Sequence, residues 1–177
     1  GLHGLFGHGI MDFPAPGIPD PRDGLAVVER FLEAHPAPML QIPAVFPHAP
    51  YTCSSETLRR AKTLALDHGA KFLIHVAESA HERTAMREQH GGTTPVHYLA
   101  ELGVLDSDTI LVHAVHVDAK EADLIAASGA SVVINTESNM KLASGIAPLA
   151  LFLERGIAVG LGTDGCASNN DLDLFQE

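Results

Sequence analysis

Phe72-Leu-Ile-His75-Val-Ala-Glu78 and Thr109-Ile-Leu-Val-His113-Ala-Val-His116 are the two stretches of sequence that decide the fold. Each is a short apolar run that ends in a histidine, with a second ionisable side chain three residues later. Continuous apolar runs of this length are typical of strands in a parallel sheet covered by helices. Because ionisable side chains stand at their C-terminal ends, the two stretches predict neighbouring strands that end at a common site.

Six apolar runs of this kind recur roughly every 30 residues, which is the spacing of βα units. They cover residues 2–10, 39–46, 72–76, 109–115, 131–134 and 157–161. Helix-like segments lie between them, at residues 22–34, 54–69, 79–89, 95–102, 118–129 and 148–155, and Ser54 and Asp118 provide N-cap chemistry for two of them. This alternation predicts an α/β fold with a parallel sheet, either doubly wound or a (β/α)8 barrel.

Polar side chains at the ends of the predicted strands favour the barrel, whose active site is a ring of strand-end residues. They are His48, His75, His113, Asn135 with Glu137, and Asp164. A complete barrel takes about 250 residues and eight units. We therefore interpret residues 1–177 as the central and C-terminal part of an incomplete (β/α)8 TIM barrel with about six βα units, in which the first strands are absent.

Composition excludes several classes of protein. The 22 acidic and 11 basic residues give a net charge of −11, which argues against nucleic acid or an anionic membrane as the partner. Cys53 and Cys166 are too few for a disulfide framework or a Cys-x-x-Cys zinc site, which fits a reducing cytoplasm. Pro43, Pro47 and Pro50 interrupt the longest uncharged stretch, so we expect no transmembrane helix.

The segment from Gly160 to Gly165 matches the Gly-x-Gly-x-x-Gly pattern of dinucleotide-binding domains. That fold also requires an acidic residue about 20 positions later, and its pattern opens the first βαβ unit rather than closing the sixth. A second interpretation suits the residues better. The glycines allow close passage of the backbone, Asp164 points into the site, and residues 168–171 supply helix N-caps.

A single histidine at a strand end is more often a hydrogen-bonded core residue than a ligand. Several of them together with Asp164 favour a metal ion and a bound water. Side chains alternate across a strand, so residues three apart point to opposite faces. We therefore expect that His113 and His116 do not chelate the same ion and that one of them faces away from the site.

Five motifs in order resemble the amidohydrolase superfamily, within it the branch of 5-methylthioadenosine/S-adenosylhomocysteine deaminases and s-triazine hydrolases. Besides His75-Val-Ala-Glu78 and His113-Ala-Val-His116, they are His48-Ala-Pro-Tyr-Thr, Ser138-Asn-Met-Lys-Leu-Ala-Ser-Gly-Ile-Ala-Pro148 and Gly162-Thr-Asp164-Gly-Cys-Ala-Ser-Asn-Asn-Asp-Leu-Asp173. The resemblance implies a (β/α)8 barrel with one divalent metal ion, zinc or iron, and a flanking β-sandwich that is absent from these residues. It also implies hydrolytic deamination.

The resemblance assigns a role to each matching residue. His75 and Asp164 would be metal ligands, and Asp164 would also take a proton from the attacking water. His113 would hold that water or the tetrahedral intermediate, Glu78 would contact the substrate and move protons to its ring nitrogen, and His48 would bind the substrate.

The sequence departs from the family at three places. The family's other ligands, a His-x-His pair on the first barrel strand, do not occur in this sequence. Ile134-Asn-Thr136 stands where members have His, a small or polar residue and Pro, and His3 stands where arginine is common.

The function expected from this resemblance is metal-dependent deamination of an amino-purine by hydroxide formed at the metal. The expected substrates are adenine nucleosides such as S-adenosylhomocysteine, methylthioadenosine or adenosine. The alternatives are a guanine or 8-oxoguanine deaminase and an s-triazine aminohydrolase or chlorohydrolase. Alternatives from another class are a nucleotide-binding domain and an inactive truncated barrel. We expect a small-molecule substrate, a homo-oligomer as one possible assembly, and a cytoplasmic location.

Overall fold

One parallel sheet organises the molecule. The computed structural model describes residues 4–35 and 41–177, which form six strands that pair side by side in chain order. They are β1 (Gly4–Ile10), β2 (Gln41–Pro47), β3 (Lys71–Val76), β4 (Thr109–His113), β5 (Ser131–Ile134) and β6 (Val159–Leu161). All five pairings are parallel, as predicted. Residues 2–3 and 39–40 of the predicted strands, and His3 with them, lie outside the described residues.

Helices connect the successive strands. They are α1 (Gly24–Ala34), α2 (Ser55–Asp67), α3 (Ala80–Gln89), α4 (Pro95–Glu101), α5 (Ala119–Ser128), α6 (Thr136–Lys141) and α7 (Leu149–Glu154). The predicted caps are confirmed, because the Ser54 side chain accepts from Thr57 N and the Asp118 side chain accepts from Lys120 N and Glu121 N. Within the described ranges, no helix has the length and apolarity needed to span a bilayer.

The hydrophobic core lies between the sheet and its helices. On β3 the residues Phe72, Ile74 and Val76 are fully buried, whereas the alternating Leu73 and His75 are only partly buried. Side chains point to opposite faces in turn along a strand, so the helices cover one face of the sheet and His75 stands on the other. In a closed barrel this second face lines the interior.

The sheet is open within the described residues, because β1 pairs only with β2 and β6 pairs only with β5. A closed barrel has no such edges, since every strand in it pairs with a neighbour on both sides. The strands follow one another in chain order with the helices on one face, as in the wall of a barrel, which agrees with the predicted incomplete (β/α)8 architecture.

Several local predictions differ from the structure, including the start of the last strand, which is predicted at residue 157 and lies at Val159. Helix α6 was not predicted. Residues 168–171 cap no helix, because residues 162–177 contain only turns and bends, and the Asn169 side chain accepts from Asp171 N and Leu172 N in one of them. Strand β4 ends at His113 rather than at residue 115, because φ is 73° at His113 and 48° at Ala114, which breaks the extended backbone.

Candidate active site

Three predicted site residues converge at the C-terminal ends of the strands. His75 lies on β3, His113 ends β4 and Asp164 follows β6. One potential ligand atom from each lies within 4.8 Å of those of the other two. Two imidazoles and a carboxylate this close together form the beginning of a metal site with nitrogen and oxygen ligands.

The backbone conformation of His113 brings its ring into this cluster. The register pairs His75 with Val112 and Val76 with His113, and paired residues share a face of the sheet. A regular β4 would therefore direct His113 with Val76 toward the helices. The positive φ of His113 breaks this alternation, and its ring centroid lies 5.3 Å from that of His75. Non-glycine residues keep such conformations only where their surroundings enforce them, which is common at functional sites.

Hydrogen bonds orient both imidazoles. The Nδ1 atom of His75 lies 2.8 Å from the backbone oxygen of His48, which can only accept, so this nitrogen carries the proton and Nε2 is left with its lone pair. The Nδ1 atom of His113 lies 2.9 Å from Oδ1 of Asn139. Metal-binding histidines usually donate their other ring nitrogen to a carbonyl or carboxylate in this way.

Charge and protonation also suit a divalent ion. Burial lowers the pKa of His75 to about 4, so its imidazole is neutral at pH 7. Burial raises the pKa of Asp164, but hydrogen bonds from Ser168 and Ser138 outweigh that effect and the net pKa is lowered. Both hydroxyls donate to Oδ2, at 2.5 and 2.7 Å. A neutral imidazole and a charged carboxylate with a second oxygen available are the forms that metals require, so the residues fit the expected ion.

Glu78 lies beside the cluster. Its Oε2 is 3.9 Å from Nε2 of His113, and its side chain is 23% exposed. The carboxylate is therefore close to the candidate ligands and still accessible to a small molecule. The backbone N–H groups of Glu78 and of Ala77, which has a φ of 50°, donate to the carboxylate of Glu82.

His48 forms the opposite side of the site. Its ring centroid lies 5.1 Å from that of His75, and its Nδ1 lies 3.0 Å from Oγ1 of Thr52. Burial lowers the pKa of His48, which favours the neutral imidazole. Tyr51, with its ring centroid 6.2 Å from that of His48, extends this side toward solvent.

The remaining strand-end residues take other roles. The prediction that either His113 or His116 faces away is confirmed, because Nε2 of His116 lies 2.8 Å from the backbone oxygen of Ser144. Asn135 is buried, with Nδ2 3.4 Å from Nδ1 of His113. The interpretation of the glycines also agrees with the structure, because a Cβ atom on Gly162 would lie 2.4 Å from Oδ1 of Asn135.

Sequence reasoning assigned no role to the residues that support the site. Ser138 and Asn139 lie on the unpredicted α6, and one supports Asp164 while the other supports His113. Glu82 carried a recognisable signal, because Ser79-Ala-His-Glu82 has the Ser-x-x-Glu spacing of a capping box. No such local signal marks Asn139, since its contact with His113 spans 26 residues.

Known proteins resemble this chain over its whole length. The profile of the amidohydrolase family matches residues 1–177. The 5-methylthioadenosine/S-adenosylhomocysteine deaminase of Syntrophobacter fumaroxidans is 44% identical over 100% of this chain and 40% of that protein. The 5'-deoxyadenosine deaminase of Methanopyrus kandleri is 50% identical over 74% of this chain and 30% of that protein.

A solved structure extends the likeness to three dimensions. An adenosine deaminase from Xanthomonas campestris with bound zinc superposes with a TM-score of 0.93 at 35% identity, covering 99% of this chain and 40% of that one. The chain thus spans about 40% of the length of the curated relatives that it matches over its whole extent.

Proposed function

The chain belongs to the amidohydrolase family, and we propose that it is the central and C-terminal part of a metal-dependent barrel enzyme that deaminates adenine nucleosides. The observation that carries this proposal is the convergence of His75, His113 and Asp164, with Glu78 beside them. The missing first strands, with their His-x-His pair, and the β-sandwich would come from sequence outside these 177 residues.

One divalent ion, zinc by our proposal, would be held by His75 and Asp164, with His113 in the same cluster. Zinc in a relative's structure and the N and O donors found here support this choice. When bound, such an ion supplies hydroxide at neutral pH, since it lowers the pKa of water from 15.7 to about 7.

The chain's own side chains would carry the protons. Asp164 takes one proton from the attacking water through the carboxylate oxygen that the two serine hydroxyls leave available, and His113, whose Nδ1 faces Asn139, holds that water by accepting a hydrogen bond from it at Nε2. Glu78 gives its proton to the purine ring nitrogen, so that the amino-bearing carbon accepts the oxygen. It then takes the proton that remains on that oxygen and passes it to the amine, and the proton held by Asp164 restores Glu78 at the end of the cycle. The C–N bond breaks, ammonia leaves and the carbon keeps the oxygen as a carbonyl group.

Substrate choice rests on the relatives and on the open side of the site. The relatives named above are deaminases of adenosine-type nucleosides, and His48 with Tyr51 lies where a substituent on the purine could contact them. We propose adenosine, methylthioadenosine and S-adenosylhomocysteine as substrates. The expected cytoplasmic location, the absence of nucleic-acid and membrane partners, and a homo-oligomer remain part of the proposal.

The test is a Glu78→Gln variant of the complete protein, assayed by loss of adenine absorbance and release of ammonia. Glutamine keeps the size and hydrogen bonding of Glu78 but cannot transfer a proton. The rate constant kcat should fall by about 100-fold to 10,000-fold while the metal content stays unchanged. His116→Gln, at the corresponding position after β4, is the control and should keep kcat. An unchanged kcat in Glu78→Gln removes Glu78 from the mechanism, and a wild-type protein that releases ammonia only from guanine or an aminotriazine moves the substrate to those classes.

A further inference from the structure

The carboxylate of Glu82 is buried but takes no part in the mechanism described above. Glu82 is 3% exposed, and its two oxygens accept separate backbone hydrogen bonds. Oε1 accepts from Ala77 N at 3.0 Å and Oε2 accepts from Glu78 N at 2.8 Å. The Glu82 carboxylate therefore holds the N–H groups of two consecutive residues, the second of which is Glu78 itself.

This contact differs from ordinary helix capping. Ser79 is the N-cap of α3, and its hydroxyl accepts from Glu82 N. In a capping box the glutamate at the third helical position returns to the N–H of the N-cap residue itself. Glu121 does this in α5, where it accepts from Asp118 N. Glu82 instead bonds the two residues that precede its N-cap.

The segment that Glu82 holds is strained. Ala77 has a φ of 50°, in the left-handed region that residues with a Cβ atom rarely adopt. The backbone oxygen of Ala77 also accepts from His116 N at 2.8 Å. The peptides before and after Ala77 are thus fixed on one side by the Glu82 carboxylate and on the other by the turn after β4.

We propose that Glu82 is a positioning residue whose carboxylate fixes the Ala77–Glu78 backbone, so that the Glu78 side chain is held beside His113. This inference rests on the proposed function, in which Glu78 transfers protons. Both carboxylate oxygens are required, because each accepts one N–H. A glutamine has a single acceptor oxygen, and its NH2 group would face the second N–H as another donor.

The experiment compares four variants of the complete protein. Glu82→Gln loses one acceptor and Glu82→Ala loses both. Ser79→Ala removes the helix cap but keeps the Glu82 carboxylate, and Glu121→Gln disturbs the capping box of α5. Two readouts are used, namely hydrogen exchange of the Ala77 and Glu78 amides without metal or substrate, and kcat and KM for deamination with the metal content measured.

The expected result separates Glu82 from the two controls. Amide protection at Ala77 and Glu78 should fall at least tenfold in both Glu82 variants and stay within twofold of wild type in Ser79→Ala and Glu121→Gln. We expect kcat to fall about 100-fold in Glu82→Ala, as for a catalytic group displaced by about 1 Å, with KM and metal content nearly unchanged. Glu82→Gln should lie between Glu82→Ala and wild type.

Two results would overturn the proposal. One is unchanged protection of the two amides in Glu82→Ala, and the other is a loss of kcat in Ser79→Ala or Glu121→Gln as large as that in Glu82→Ala. Failure of the proposed function would look different, because the wild-type protein would then deaminate none of the substrates. In that case the amide exchange alone decides, with lost protection supporting the holding contact and retained protection excluding it.

Discussion

The turn from β3 to α3 and the turn from β4 to α5 have similar sequences but serve different purposes. Each has a histidine at the strand end, an ionisable residue three positions later, an N-cap and a buried glutamate. After β3 the third residue is Glu78, which lies beside the candidate metal site. After β4 it is His116, which bonds the backbone oxygen of Ser144. The same local framework thus places an ionisable side chain beside the candidate site in one turn and against a backbone oxygen in the next.

The position of the positive φ accounts for this difference. In the first turn the strand continues through His75, and the left-handed residue is Ala77. In the second turn the left-handed residues are His113 itself and Ala114. Because such a residue reverses the alternation of side chains, both strand-end histidines reach the cluster although their strand positions lie on opposite faces. The ionisable residues that follow then differ in direction, with Glu78 beside the cluster and His116 outside it.

Metal binding provides the largest contrast between the turns. A His75→Asn variant removes a candidate ligand, and we expect loss of the divalent ion from the complete protein with activity below detection. A His116→Asn variant should keep about one ion per chain, because His116 is outside the cluster. Elemental analysis of both dialysed variants is the measurement. Full occupancy in His75→Asn would exclude His75 as a ligand, and loss of the ion in His116→Asn would contradict the distinction between the turns.

Arg83 links the two turns, and its removal should have the next largest effect. Its guanidinium donates to the backbone oxygen of His116 and to the side chains of Asp118 and Glu121. Glu121 is fully buried, so Arg83→Met leaves a buried carboxylate without its charged partner. We expect a decrease of about 3–5 kcal/mol in the free energy of unfolding, measured by urea denaturation.

The double variant Arg83→Met/Glu121→Met tests whether this loss comes from the uncompensated charge. Removing both members of a buried ion pair is often neutral or stabilising. The double variant should therefore recover most of the stability that the single variant loses. If it is as unstable as Arg83→Met, the bond from Arg83 to the His116 backbone stabilises the linked turns instead.

The fold could be predicted from sequence because its signals are local. Each apolar run, N-cap or strand-end histidine is recognised from a few consecutive residues. The predicted Ser131–Ile134 strand, for example, agrees with the structure at both ends. Helix α6 was missed because its six residues, Thr136–Lys141, are mostly polar and show no apolar periodicity. Each of its two contacts with the site joins residues that are 26 positions apart in the chain.

The candidate site was predictable only as a set of residue types. The strand-end positions indicated His75, His113 and Asp164, but nothing local predicted that His113 would change faces through a positive φ. The support of Asp164 by Ser138 likewise spans 26 residues. Side-chain identity thus predicted which residues converge, whereas the backbone geometry that assembles them required the structure.

The pH dependence of stability should also distinguish the buried glutamate of the β3 turn. Burial raises the pKa of Glu82 from 4.5 to about 7, so the folded protein binds a proton there that the unfolded chain has released. Between these pH values the free energy of unfolding falls as the pH rises, by on the order of 3 kcal/mol in total. Glu82→Gln should lose this part of the slope. Urea denaturation from pH 4.5 to 7.5 measures it, and parallel slopes for both proteins would contradict the raised pKa.

The smallest expected effect concerns how the two turns orient their histidines. His75 donates to the backbone oxygen of His48, which no substitution of His48 removes, whereas His113 is held by the side chain of Asn139. Asn139→Ala should therefore free the His113 ring, which holds the attacking water in the proposed mechanism, and lower kcat by about 10-fold to 100-fold with the metal content unchanged, the usual effect of losing such a partner. Deamination kinetics and elemental analysis of the complete protein measure this change. Asn170→Ala, which loses only an exposed bond to Lys141, is the matched control and should keep wild-type kcat. Unchanged kcat in Asn139→Ala would mean that His113 needs no orientation by Asn139 to hold the water.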